Sequence, residues 1–177
     1  MQLLSVLLLF ALAGCSQAPE EKMQISLDKN GSYTGFANLP ANYTKEQAVK
    51  DGCYVVFDSN KVAGAQGWAD FQVQVNGGHE ASLRLVRFSG TDVYYIDLFY
   101  DGASYHAFDS TSPDLLDRKF SYCMDLTGKM YGTDHAGHLV VLTNDKNLTF
   151  KKYLHAITSS DTATIQSIIP YVWLPVQ

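Results

Sequence analysis

Hydrophobic side chains follow two different periods in the first half of the chain. Residues 53–57 form a continuous apolar run between a glycine and polar residues, a pattern typical of a buried strand. Further along, Trp68, Phe71 and Val75 are spaced three and four residues apart, as on one side of a helix that the glycines at 77–78 would end. Positions 71, 73 and 75 also alternate, so a strand is the alternative, and we predict a helix over 66–76.

A shorter helix is predicted just before the buried strand. Thr44 stands three residues before Gln47, so its hydroxyl can accept a hydrogen bond from the Gln47 amide while the Gln47 side chain reaches back to the cap. Gly52 then ends this helix after about two turns.

From residue 81 onward the hydrophobic period changes to two. Ala81, Leu83, Leu85 and Phe88, with arginines between them, predict a strand. A turn follows at 89–92, and residues 93–100 are predicted as a second strand. Asp101–Gly102 is a strong hairpin signal because glycine tolerates a positive φ, and a third strand follows at 103–108. The pattern predicts an antiparallel meander of three strands.

The last third of the chain is less regular. Residues 120–126 and 139–143 are predicted as strands, and 148–157 fits either a strand or a helix. The apolar tail 168–176 contains two prolines and is predicted as an extended segment packed on the core, not as a central strand. Because helices come first and strands cluster later, we predict an α+β fold, an antiparallel β-sheet (meander) with two short N-terminal helices packed on it.

The amino terminus has the features of an export signal. Residues 1–14 carry no charged side chain and contain an apolar run too short to span a bilayer, which takes about 20 residues. This run ends in Leu-Ala-Gly directly before Cys15, a sequence that resembles a bacterial lipobox. We predict a signal peptide over 1–14, a lipidated Cys15 with a polar tether over 15–24, and a single α+β domain over 25–177. The alternative is a secreted protein cleaved elsewhere.

Two cysteines remain once Cys15 is assigned to lipid. Cys53 and Cys123 form an even pair, and outside the cytoplasm an even pair predicts a disulfide. The alternative is two buried free thiols that behave as small hydrophobic side chains.

Features between residues 43 and 123 resemble a known family. They are Tyr43 and Thr44 with Ala48 before Gly52, the strand Leu83-Arg84-Leu85-Val86, the hairpin Asp97-Leu98-Phe99-Tyr100-Asp101-Gly102, then Asp109 and Cys123. In this order they resemble a family of uncharacterised extracytoplasmic lipoproteins, mostly of Gram-positive bacteria. The chain differs from that family at Cys53, where an acidic residue is usual, and at the uncharged stretch 110–113. The resemblance implies an exported α+β lipoprotein domain and no catalytic residue.

Composition limits the classes of function. The 177 residues are 46% hydrophobic and 18% charged, which is too apolar for a disordered chain and enough for one domain with a core. The formal net charge of -5 offers no basic surface for nucleic acid, so we expect no nucleic-acid partner.

Metal chemistry has one weak set of candidate ligands. Asp134, His135 and His138 stand close enough in sequence to share a metal ion. The alternative is an ordinary polar turn before the strand at 139. Because the chain contains no nucleophile elbow and no glycine-rich phosphate loop, we expect no cofactor and no catalytic residue.

Polar and aromatic residues of the predicted sheet are candidates for binding. The eleven tyrosines include four in the hairpin strands, where successive side chains face opposite sides, so some are expected at the surface. The candidate binding face consists of Arg84, Tyr94, Asp97, Tyr100, Tyr105 and Asp109. The alternatives are exposed salt bridges of little energetic weight and cross-strand tyrosine pairs of an ordinary sheet.

These expectations combine into one hypothesis of function. The chain is predicted to be a lipoprotein anchored at the extracytoplasmic face of the cell membrane, and most simply a non-enzymatic binding domain for a protein, peptide or glycan partner. The alternative is a metal-dependent envelope enzyme that uses His135 and His138.

Overall fold

The computed structural model describes residues 23–40, 42–58, 61–129, 136–158 and 168–172. Three helices and nine strands lie in this part of the chain. In chain order they are α1 (Lys45–Lys50), β1 (Tyr54–Phe57), β2 (Lys61–Ala63), α2 (Ala65–Asn76), β3 (Ala81–Ser89), β4 (Asp92–Tyr100), β5 (Tyr105–Asp109), β6 (Arg118–Phe120), β7 (Tyr122–Lys129), β8 (Ala136–Thr143), α3 (Phe150–Thr158) and β9 (Ile168–Val172). The predicted signal peptide, Cys15 and most of the tether lie outside the described residues.

Helix α1 begins where its capping residue predicts. Thr44 has an extended backbone, and its hydroxyl accepts a hydrogen bond from the Gln47 amide at 3.2 Å. The helix ends at Lys50 with Asp51 as its C-cap, after which Gly52 adopts a φ of +78° and turns the chain into β1. Ala48 is fully buried, and its small side chain allows α1 to pack against the sheet.

Six strands form the larger sheet in the order β2-β1-β3-β4-β5-β6. All neighbours are antiparallel except β1 and β3, which run parallel and are joined through β2 and α2. The turn before α2 requires glycine at position 64, because its φ is +66° and a Cβ there would overlap the carbonyl oxygen of Cys53. Trp68 and Phe71 of the predicted helical stripe are buried against the sheet.

The smaller sheet has the order β7-β8-β9 and is antiparallel. A single residue, Ser121, separates β6 from β7, and its amide donates to the Asn144 side chain at 2.8 Å. The ambiguous segment near residue 150 is helix α3, which begins after Thr149, whose hydroxyl accepts from the Lys152 amide at 3.2 Å. Strand β9 lies at an edge of its sheet and contains Pro170, as expected for an edge strand.

The larger sheet has two faces, and each is covered by other parts of the chain. We call one the α2 face, where α2 and the strand β8 cover residues such as Leu83 and Leu98. We call the other the N-terminal face, where α1 and the segment 23–40 cover Val86, Phe99 and Phe108.

The predicted α+β class with a mostly antiparallel sheet is confirmed. The structure adds a second sheet, a parallel strand pair and the helix α3. Strand β1 is buried on both faces, with Val55 on the N-terminal face and Val56 on the α2 face. A strand buried on both sides has no alternation, so its sequence does not reveal whether it pairs in parallel.

Candidate functional site

The six residues of the candidate binding face lie on both sides of the sheet. Tyr94 and Tyr100 of β4 lie on the α2 face, whereas Asp97 between them lies on the N-terminal face opposite Arg84 of β3. Tyr105 lies across from Tyr100, and their ring centroids are 4.8 Å apart against the core. The six residues therefore do not form one continuous surface.

Asp109 belongs to a turn and not to a cleft. It pairs with Ile96 across the sheet, and its carboxylate accepts hydrogen bonds from the amide and the hydroxyl of Thr111 at 2.8 and 2.7 Å. These contacts shape the turn that follows β5.

Half-buried Arg84 forms an ion pair with buried Asp97, and Tyr33 hydrogen-bonds to the same carboxylate. We call these three residues the Tyr33 network. The Arg84 Nε donates to Asp97 Oδ1 at 2.7 Å, and Arg84 Nη2 donates to Oδ2 at 2.6 Å, a bidentate geometry. The Tyr33 hydroxyl donates to the same Oδ2 at 2.7 Å. Asp97 is completely buried, so its charge depends on these donors.

Tyr33 was not a candidate in the sequence, and it links the Tyr33 network to the segment 23–40. Its ring stacks on Phe108 with centroids 4.0 Å apart, and Arg84 donates to the Gly35 carbonyl oxygen at 3.3 Å. Burial and the neighbouring Asp97 raise the pKa of Tyr33 well above its usual value. Burial opposes the charge of Arg84, but its bonds to Asp97 outweigh that effect and raise the pKa of the guanidinium. The network therefore holds the amino-terminal segment on the sheet.

The two cysteines of the described chain are free thiols. Cys53 is buried on the N-terminal face beside the Tyr43 hydroxyl, with Sγ and Oη 3.5 Å apart, whereas Cys123 packs against the α2-face cluster. The sheet separates them, and the disulfide predicted between them is not formed in this structure. Burial raises the pKa of the Cys53 thiol and raises that of Cys123 to about 12, so both favour the unreactive protonated form.

A second polar cluster surrounds the buried His106. Its Nδ1 lies 2.9 Å from both carboxylate oxygens of Asp117, and its Nε2 lies 3.0 Å from Oδ2 of Asp101. Lys119 contributes a cation to this cluster, with Nζ 3.9 Å from Asp101 Oδ2.

The His106 cluster ties the β4–β5 turn to the segment before β6. The hydrogen bond from His106 and those from the amides of Ser104 and Ala103 hold the pKa of Asp101 well below its usual range. Sequence reasoning missed this cluster because Asp117 lies in an irregular loop with no periodicity to place it.

The predicted metal ligands are only partly within the described chain. His138 contacts Asp125 of β7, with Nε2 and Oδ1 2.5 Å apart, while Asp134 and His135 lie outside the described residues. Within the residues that the structure describes, no group of three His, Cys, Asp or Glu side chains is arranged to hold a metal ion.

One tyrosine of the candidate face is exposed. Tyr94 is 37% exposed near the end of the β3–β4 hairpin, and the exposed Arg87 lies directly opposite it. The Tyr94 hydroxyl also lies 3.4 Å from Oδ2 of Asp92. We call these three residues, Arg87, Asp92 and Tyr94, the Tyr94 patch.

A groove of about 430 Å³ lies between β7 and α3. It is lined by Thr127, Gly128, Lys129, Thr149, Phe150, Lys151 and Leu154. The buried side chains of Phe150 and Leu154 belong to the core cluster beneath α3.

Comparisons with known proteins add no relative. No protein-family model, no curated protein and no solved structure matches the chain.

Proposed function

We propose that the chain is a bacterial lipoprotein, anchored through lipid on Cys15 at the extracytoplasmic face of the cell membrane, and that its domain is a non-enzymatic binding module. The apolar run and the small residues before Cys15 support the anchor. Two or more acyl chains hold a protein on a membrane durably, whereas one does not. Among the described residues, no helix is long and apolar enough to cross a bilayer.

The observation that carries the binding function is the exposed ring of Tyr94 beside Arg87. Tyrosine and arginine are enriched in recognition surfaces, because the ring supplies apolar contact area and both side chains keep a polar group for hydrogen bonds. An exposed tyrosine ring beside an arginine suits a protein, a peptide or a glycan.

The geometry of the buried polar groups supports a binding role over catalysis. Asp97 and His106 are buried and Arg84 is half-buried, and all three are hydrogen-bonded to other side chains of the chain, as structural polar groups are. Cys53 and Cys123 are thiols whose raised pKa values disfavour the nucleophilic thiolate.

Thermal unfolding of the full chain in detergent micelles tests the proposal against peptidoglycan fragments, glycans and peptides. A ligand that binds only the folded state adds about 2.7 kcal/mol at 100 times its dissociation constant, which moves the midpoint by several degrees. We expect the Tyr94→Ser variant to lose this shift. The matched control is Val73→Ser, because Val73 is 66% exposed on α2 and does not belong to the Tyr94 patch. If a ligand raises the unfolding midpoint equally in wild type and Tyr94→Ser, the Tyr94 patch is not its binding site.

A metal-dependent envelope enzyme using His135 and His138 is the second candidate function, and one contact favours it. A histidine that binds a metal usually donates its other ring N–H to a carboxylate, and Asp125 stands in that position beside His138. Metal analysis of the purified protein tests it. Stoichiometric zinc that is lost in His138→Ala would support the enzyme, and a metal-free wild type would reject it.

A further inference from the structure

The Tyr94 patch lies at the end of the β3–β4 hairpin, where the larger sheet narrows to two strands. The register of β1 with β3 ends at Arg87, and the register of β5 with β4 begins at Ile96. In the part of the chain that the structure describes, strand pairing of residues 88–94 is limited to the hairpin itself. The patch therefore extends beyond the neighbouring strands, where a ligand can approach it.

The ring of Tyr94 has no stacking partner among the described residues. Tyr100 and Tyr105 contact each other, whereas no aromatic ring and no cation lies against Tyr94 in the described chain. Its hydroxyl lies 3.4 Å from Oδ2 of Asp92. Because the side chain is also 37% exposed, its ring can receive a ligand.

The two charged side chains beside the ring have complementary hydrogen-bonding capacity. Arg87 lies directly opposite Tyr94, and Asp92 precedes Tyr94 by two residues on the same side of the hairpin. Side chains in these relations are about 5 Å and about 7 Å apart at their bases, so one ring-sized ligand can reach all three. Within the described residues, no hydrogen bond or ion pair engages the Arg87 guanidinium. A guanidinium donates hydrogen bonds, and a carboxylate accepts them.

This pair of charges favours a neutral ligand that both donates and accepts hydrogen bonds. An anion is attracted by Arg87 but repelled by Asp92, and a cation experiences the reverse. Each hydroxyl group of a sugar both donates and accepts, so one sugar ring can bond to both side chains. The C–H groups on the face of the same sugar ring can pack on the negative face of the tyrosine ring. Peptides are usually held by main-chain bonds along a strand edge or in a groove, whereas these polar groups are side chains around one ring.

We propose that the Tyr94 patch binds a neutral sugar ring of a glycan, which stacks on Tyr94 while its hydroxyl groups bond to Arg87 and Asp92. This inference rests on the binding function proposed above and names the class of ligand for the same surface.

Three β-1,4-linked trisaccharides, of glucose, glucosamine and glucuronic acid, are the probes. They share one ring backbone, and at slightly acidic pH they are neutral, cationic and anionic. Each is titrated into the 15N-labelled full chain in micelles of a detergent that has no sugar head group. We expect the glucose trimer to change the amide shifts of residues 87 and 92–94, and we expect neither charged trimer to bind more tightly than the glucose trimer.

Substitutions of exposed tyrosines test the stacking. Tyr94→Ser is expected to weaken binding of the glucose trimer roughly twofold to tenfold, because the ring contact is lost. Tyr94→Phe keeps the ring and should retain most of the binding. The matched control is Tyr122→Ser, because Tyr122 is 39% exposed on β7 and does not belong to the Tyr94 patch. We expect this control to bind as wild type does.

Substitutions of the two charged residues test the choice of a neutral ligand. Arg87→Met leaves Asp92 as the charge of the patch, so the glucosamine trimer should bind roughly twofold to fivefold more tightly than it binds wild type. Asp92→Asn leaves Arg87, and the glucuronic acid trimer should gain by a similar factor. Unspecific stacking on the tyrosine ring would not produce these opposite changes.

Several results would overturn the proposal. They are the absence of shift changes at residues 87–94 with the glucose trimer, equal binding by Tyr94→Ser and Tyr122→Ser, and an unchanged order of the three trimers in Arg87→Met and Asp92→Asn. A neutral peptide that alternates valine with serine separates this failure from that of the binding function. Shift changes at Tyr94 with this peptide and with no trimer would overturn the glycan ligand and retain a binding module. If none of the four probes changes these shifts, the glycan ligand is also overturned, and the thermal unfolding experiment alone decides the binding function.

Discussion

Replacing Arg84 with methionine removes the guanidinium of the Tyr33 network and keeps most of the apolar stem. Asp97 is completely buried, so the variant leaves its carboxylate with the Tyr33 hydroxyl and without a cation. Breaking a buried ion pair by removing one partner costs about 3–5 kcal/mol, because the remaining charge is uncompensated. We therefore expect the free energy of unfolding to fall by about this amount in Arg84→Met.

The double variant Arg84→Met/Asp97→Leu completes the test. Replacing both members of a buried ion pair by apolar side chains is often close to neutral, so the double variant should be more stable than Arg84→Met alone. Tyr33→Phe removes only one hydrogen bond to a charged group and should cost about 1.5–3 kcal/mol.

Far-UV circular dichroism during thermal and urea unfolding measures these differences. For a domain of this size, each kcal/mol moves the midpoint by about 2–4 °C, so Arg84→Met should unfold roughly 6–20 °C below wild type. Arg87→Met is the control, because Arg87 is exposed on the same strand, and its effect should stay within about 0.5 kcal/mol. The argument is refuted if the free energy of unfolding of Arg84→Met falls by less than about 1 kcal/mol. It is also refuted if the loss in the double variant equals the sum of the losses in Arg84→Met and Asp97→Leu.

Three further predictions concern other parts of the chain. Cys53 and Cys123 should react with a thiol reagent only after the chain is unfolded. If neither thiol reacts in the denatured chain, the two cysteines are not free thiols. Because the folded pKa of Asp101 is lowered, its stabilising contribution is present above its unfolded pKa of about 4 and is lost as the pH falls below that value. His106→Asn removes much of that contribution, so denaturant unfolding at several pH values should show a smaller acid loss than in wild type, and equal losses would count against the pairing. Cys15→Ser should move the protein from the membrane fraction to the soluble fraction. Unchanged fractionation of this variant would reject the proposed lipid anchor on Cys15.

The local pattern of the sequence was enough to predict the elements of the central hairpin. The alternation at the start of β3 and the turn between β3 and β4 follow from period and turn chemistry. A two-residue turn at Gly90 and Thr91 sets the register, so the position of Arg84 opposite Asp97 also follows from the sequence. The Arg84–Asp97 pair of the Tyr33 network could therefore be predicted from the sequence.

The contact of Tyr33 with this pair could not be predicted from the sequence. Tyr33 lies in an irregular segment 64 residues away from Asp97 along the chain, and no periodic pattern directs its hydroxyl to that carboxylate. The predicted binding face failed to form one surface for a related reason. Alternation assigns Tyr94 and Asp97 to opposite faces, but which face stays exposed depends on where α2, β8 and residues 23–40 pack.

The position of Tyr33 has a mechanical consequence. It is the first fully buried side chain after residue 23, and it follows the proposed membrane tether within the same chain. A pulling force between the membrane and a bound partner would first detach the residues before it, which are exposed or half-buried, and then act on its ring and hydroxyl. The bond to Asp97 and the stacking on Phe108 would bear this load. The residue that holds the amino-terminal segment on the sheet thus also sets how much tension the anchored domain withstands before it begins to open.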